Sequence, residues 1–138
     1  MASTFNLSNF SANSIANSAL NIAAVFGGAT LTIYGPSQPA NANTALSGQL
    51  ALAIFTLPAA GSNTVTNPSN NALITFGAIS NVTASNTGTA TFFRITNGAN
   101  VVCDGSVGTS GADCNINSVS ISSGATVAIT AFTYTVTE

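Results

Sequence analysis

The sequence predicts a mainly β protein, a sandwich or a barrel, carrying one α-helix at its N-terminus. Two observations lead there. After Gly28 the chain breaks into short apolar runs separated by Gly, Pro, Asn and Ser, the punctuation of an all-β fold. Before Gly28 the apolar residues Ile15, Ala19, Ile22 and Phe26 recur at helical spacing, flanked by Ala16, Leu20 and Ala23. At 138 residues the chain fits a single domain, with 1–28 as N-terminal arm and helix and 29–138 as the β-structure.

The helix is expected over Asn9 to Phe26, and Gly27-Gly28 supplies its stop. Its Asn and Ser content is poor in helix propensity, so packing of the apolar stripe has to hold it. Strands are then expected over Ala29 to Tyr34 and Gln49 to Leu57, with Gly35-Pro36, Gln38-Pro39 and Pro58 as breaks. The second run is apolar at alternating and intervening positions alike, which suits a strand covered on both faces. After the polar stretch Gly61 to Asn71, further strands are expected over Ala72 to Phe76, Thr89 to Thr96, Val101 to Val107, Asp113 to Asn117, Val119 to Ser122 and Thr126 to Thr137. In the last of these the apolar set changes phase between Ile129 and Phe132, which predicts a bulge or a crossing between sheets near Thr130 or Ala131.

The segment Val101 to Ile116 reads as a hairpin about Gly108-Thr109, because glycine in the first central position suits a type II′ turn. That register sets Cys103 opposite Cys114 and Asp104 opposite Asp113. The cysteines then have two readings: a cross-strand disulfide, or two buried thiols behaving as small hydrophobes, the ordinary state in a cytosolic product. The aspartates also have two. They form a calcium site or a carboxylate pair with one raised pKa, or their repulsion is relieved by solvent or by Arg94, which an odd-length turn around Asn97-Gly98 would bring onto the same face. Two carboxylates alone are a thin ligand set, and two cysteines without histidine do not complete a zinc site.

Charge is nearly absent. One Lys+Arg, three Asp+Glu and no histidine leave Arg94, Asp104, Asp113 and Glu138 as the charged side chains, against ~25% in an ordinary domain. No basic cluster exists to hold phosphate backbones or anionic headgroups, so neither nucleic-acid nor membrane partners are expected. Residues 1–11 lack the basic region of a signal peptide, and Ala19 to Phe26 is too short to span a bilayer. Synthesis in the cytosol without export is the expectation. With no histidine and no lysine, Ser-His and Ser-Lys arrangements cannot be built. Directly paired Asp104 and Asp113 would sit closer than the ~5–9.5 Å of a glycosidase pair. No phosphate-binding glycine loop is present. No enzymatic activity and no cofactor are expected, and the low charge points instead to association.

From about Leu31 onward the chain resembles the capsid cement, or decoration, proteins of tailed bacteriophages. The likeness rests on Leu31-Thr-Ile-Tyr-Gly35, Gln38-Pro-Ala40, Ala45-Leu-Ser-Gly48, Thr91-Phe-Phe-Arg94 and Asp104-Gly-Ser-Val-Gly-Thr-Ser-Gly-Ala-Asp113. The sequence departs from that pattern in its cysteines at 103 and 114 and in its few charges. The resemblance implies a jelly-roll-like antiparallel β-sandwich, present as a homodimer or homotrimer on the outer surface of the virion. There it would bridge neighbouring major capsid protein subunits, after synthesis in the host cytoplasm. Two other roles fit the composition: a carbohydrate-binding adhesin module, and a tail or fibre subunit. The first is short of stacking platforms, since the chain has no tryptophan and its tyrosines, Tyr34 and Tyr134, fall within strand patterns.

Overall fold

The computed structural model describes residues 6–7, 25–59, 62–66 and 71–137. Thirteen strands are present among them: β1 (Asn6–Leu7), β2 (Thr30–Gly35), β3 (Leu50–Thr56), β4 (Thr64–Thr66), β5 (Asn71–Thr75), β6 (Val82–Thr83), β7 (Gly88–Thr89), β8 (Phe92–Asn97), β9 (Asn100–Gly108), β10 (Cys114–Ile116), β11 (Ser120–Ile121), β12 (Thr126–Val127) and β13 (Ile129–Thr137). Residues 9–24 of the expected helix lie outside the described residues. Val25 and Phe26 are helical and pass into a turn at Gly27 and Gly28. Gly28 has φ of 68°, a conformation suited to ending a helix, and its N–H donates to the carbonyl of Pro58 at 3.0 Å.

The main sheet runs in the order β3-β2-β8-β9-β10-β13-β5-β4, with β1 added to β9. Two small sheets, β7 with β11 and β6 with β12, accompany it, and no barrel closes among the described residues. The sheet is mixed: β9 and β10 are parallel and its other pairs antiparallel. Three strand steps separate β8 from β13, about 14 Å in a flat sheet. Yet the rings of Phe93 on β8 and Phe132 on β13 meet edge to face with centroids 5.4 Å apart. The sheet therefore bends through β9 and β10 until its two halves face each other. Leu31, Ile33, Phe93 and Ile95 from one half share a buried cluster with Ile74, Phe132 and Tyr134 from the other. Phe26 closes one side of that core against Tyr134 and Phe76, at 4.8 and 5.5 Å between centroids.

The chain is legible in β13. Cys114 and Asn115 pair with Phe132 and Ala131, but Ile116 pairs with Ile129, leaving Thr130 as the extra residue of a bulge at the place where the apolar phase changes. Elsewhere the structure corrects the expectation. β3 is an edge strand, not one covered on both faces, and Ile54 and Leu50 remain 53% and 45% exposed. They do not make a patch. Ile33 pairs with Ala53 and Tyr34 with Ala51, so Leu52 is bulged and the two exposed side chains fall on opposite faces. The polar stretch Gly61 to Asn71 contains a strand, β4, and the expected Thr89 to Thr96 strand divides into β7 and β8.

Gly105 leaves room for the Phe93 ring. It lies opposite Phe93 in register, and a Cβ there would come within 2.6 Å of the Phe93 ring and 3.3 Å of the Asp113 Cβ. Gly105→Ala is therefore expected to displace Phe93 from Phe132 and cost about 1–3 kcal/mol, the usual penalty for overpacking. A lowered urea midpoint would show it, and an unchanged midpoint would mean the sheet relaxes around the methyl group.

Candidate functional site

Arg94 is the chain's one basic side chain, and the fold turns it inward. The β8–β9 hairpin begins as a two-residue turn, Gly98-Ala99, closed by Asn97 opposite Asn100, with Gly98 at φ 61°. Continued without interruption, that register would set Arg94 opposite Cys103. A bulge at Val102 intervenes, because Thr96 pairs with Val101 but Ile95 pairs with Cys103, and it brings Asp104 opposite Arg94. The odd-length turn expected around Asn97-Gly98 does not form; the turn is even and the extra residue lies within β9.

The resulting ion pair is two-pronged. Arg94 Nε donates to Asp104 Oδ1 at 2.6 Å and Nη2 to Oδ2 at 2.7 Å, with the side chains 5% and 0% exposed. A third nitrogen, Nη1, donates to the backbone carbonyl of Thr44 at 2.9 Å. That bond holds the segment from Pro36 to Gln49 as a strap over the outer face of β2, β8 and β9. Within the strap, Asn41 Oδ1 accepts from the N–H of Asn43 and the hydroxyl of Thr44, and Gln49 Nε2 donates to the Ser37 carbonyl. Ala42, part of the strap, is fully buried. On the same outer face Tyr34 stacks on Phe92 at 5.3 Å. A cleft of about 260 Å³ opens between the strap and the Ala99 to Val101 turn, with Arg94 in its wall.

The expected Val101–Ile116 hairpin does not form. β10 runs parallel to β9, with Cys114 beside Val107 and Asn115 beside Gly108. Asp113 turns the chain back: its Oδ2 accepts from the N–H and the hydroxyl of Ser106, both at 2.9 Å, and its own N–H donates to the Ser106 hydroxyl at 3.1 Å. Gly111, at φ 68°, supplies the left-handed residue, while Gly108 stays within the strand. Asp104 and Asp113 are consequently not opposed. Asp104 faces Arg94, whereas Asp113 lies against Gly105, on the side of the sheet that carries Phe93. No group of three or more acidic, thiol or imidazole side chains comes together among the described residues.

The parallel register also separates the cysteines. Cys103 lies four positions before Val107, the neighbour of Cys114, about 13 Å along the strand. That exceeds the ~7 Å reach of a disulfide, and both are free, buried thiols. Burial pushes the Cys103 thiol well up, aided by the negative Asp104 and Asp113. Burial likewise pushes Cys114 up to about 12, with Asp113 adding to it. Neither has the lowered pKa of a reactive thiol.

At the sheet's free edge, the Leu52 carbonyl accepts from the Ser85 N–H at 2.9 Å and the Ala51 carbonyl from Asn86 Nδ2 at 2.8 Å, which closes part of β3's outer edge. The roles of Thr44, Ser85 and Ser106 escape sequence reasoning. All three use backbone groups, which leave no residue-type signature, and serine is everywhere in this chain. Scans of protein-family models, of curated proteins and of solved structures each found no match.

Removing one partner of a buried ion pair strands the other. Asp104→Ala is expected to lower stability by about 3–5 kcal/mol, and Arg94→Met with Asp104→Leu by less than Asp104→Ala alone, as read by denaturant unfolding. The thiols add a pH dependence. Their folded pKa values stand above the ordinary value of 9.0, so the unfolded chain loses these protons first. Stability is then full below pH 9 and falls as pH rises toward 12. Melting curves across that range are expected to show the fall, and Cys114→Ala to make it shallower.

Proposed function

We propose that this chain is a non-catalytic structural protein of a bacteriophage virion, a capsid cement protein that binds the outside of the shell and stabilises contacts between major capsid subunits. One observation carries most of the weight. Three of the four charged side chains are engaged within the fold: Arg94 and Asp104 with each other, and Asp113 with Ser106. The described surface is therefore polar and sparsely charged, and on this reading it associates through amides, hydroxyls and apolar groups with little long-range electrostatic steering. Such a surface suits a static contact in a lattice.

The residues behind the family resemblance fall in coherent places. Leu31 to Gly35 lie on β2, Phe92 to Arg94 on β8, Asp104 to Asp113 on β9 and its return toward β10, and Gln38 to Gly48 in the strap. On this reading the folded sheet is a jelly-roll-like sandwich, and the strap is a contact arm held ready by Arg94. The partners are the major capsid protein and further copies of the chain, as a homodimer or homotrimer. Binding to the assembled shell and not to its unfolded subunits stabilises the shell by mass action. The adhesin alternative meets an obstacle, since Tyr134 is buried and Tyr34 is stacked on Phe92.

Purified virions of the source phage are expected to contain this protein in numbers comparable to the major capsid protein, with density for it on the outside of the shell by cryo-electron microscopy. Capsids lacking it are expected to burst at lower temperature. Density in the tail instead would transfer the chain to the tail or fibre role, and binding on a glycan array would favour the adhesin.

A further inference from the structure

We propose that the cleft between the strap and the β8–β9 turn binds an amide group of a protein partner, an Asn or Gln side chain or a main-chain peptide unit, whose carbonyl accepts from Arg94. The assignment stands on the geometry of the cleft and holds whether or not the chain belongs to a virion.

A guanidinium offers five N–H donors and no acceptor. Arg94 commits three of them, two to the Asp104 carboxylate and one to the Thr44 carbonyl. Among the described residues the remaining two, one on Nη1 and one on Nη2, have no protein acceptor. Their direction follows from the neighbours. The edge formed by Nε and Nη2 is turned to Asp104, while Nη1 is turned to Thr44, which stands with Arg94 in the cleft wall. The end of the fork that is left over therefore borders the cleft. With the side chain only 5% exposed, a donor there binds an acceptor more strongly than one in open water.

Size and charge choose the ligand. Pockets for drug-sized molecules run ~300–1,000 Å³, and this cleft holds about 260 Å³, room for one side chain or a short stretch of peptide. The charge of the guanidinium is already met by Asp104 at 2.6 and 2.7 Å. A ligand carboxylate would face Asp104 across one shared cation, a like-charge arrangement that disfavours the ionised form. A neutral carbonyl avoids that repulsion. Across the cleft, Asn100 carries a side-chain carbonyl able to accept from the N–H of the same amide. Ala45, Ala99 and Val101 line the rest, leaving small apolar walls for the carbons that bear the amide.

Arg94 supplies a native reporter for the test, because labelling with nitrogen-15 arginine gives a single Nε–H resonance in a chain with one basic residue. The full-length protein is titrated with N-acetylasparaginamide and, separately, with its anionic counterpart N-acetylaspartate, and followed by NMR. The amide is expected to shift the Arg94 resonance and the backbone signals of Thr44, Ala45 and Asn100 saturably, and the carboxylate to need a roughly tenfold higher concentration. Equal or tighter binding of N-acetylaspartate overturns the choice of a neutral ligand. Shifts that never saturate, or that spread away from the cleft, overturn the site. Ala45→Leu places a larger side chain in the cleft from an exposed position of the strap, away from the core and the ion pair. It is expected to abolish the saturable shift, and an undiminished shift overturns the proposal. Should that variant fail to fold, the two titrations of the unaltered protein decide. The virion role is read separately, from particle composition.

Discussion

The parity of one hairpin governs much of this molecule. Without the bulge at Val102, the single arginine would face a cysteine and Asp104 would point into the core beside Phe93. An uncompensated carboxylate there would cost several kcal/mol. With the bulge, the apolar residues of β8 and β9 meet the opposite half of the sheet, and the two charges meet each other on the outer face. The strap is tied to that same guanidinium, so the position of a loop fifty residues away in sequence follows from a single extra residue in β9.

Core and outer face are therefore coupled. Phe93 and Arg94 are neighbours in sequence with opposite duties, one reaching Phe132 across the fold and the other holding Thr44 above it. A shift of β8 by one residue would exchange those duties, turning the guanidinium into the apolar core and the Phe93 ring away from Phe132. The register is specified from both sides of the sheet at once, which offsets the weak specification expected of Thr- and Ser-rich strands.

Much of the strand pattern was legible in the sequence, since alternation and turn residues report directly on the half-buried state of a strand. The break at Thr130 was legible for the same reason: a change in apolar phase means a bulge or a crossing between sheets, and the structure has the bulge. The return of β10 was not. Gly108-Thr109 has the composition of a hairpin turn, and what diverts the chain is a set of three hydrogen bonds between Ser106 and Asp113, residues common at any surface. The disposition of Cys103, Cys114 and Asp113 went astray with that turn. Arg94 was legible as a candidate partner for Asp104, because no other cation is available, but its bond to the Thr44 carbonyl depends on a backbone group that any residue offers.

The partly closed edge of β3 bears on what this sheet can recruit. A protein with almost no net charge has little repulsion to stop an exposed strand edge from recruiting another, and edge-to-edge addition has no natural end point. Ser85 and Asn86 occupy part of that edge, and the Leu52 bulge twists what remains. Addition of a further strand is thereby obstructed at the longest outer strand of the described sheet.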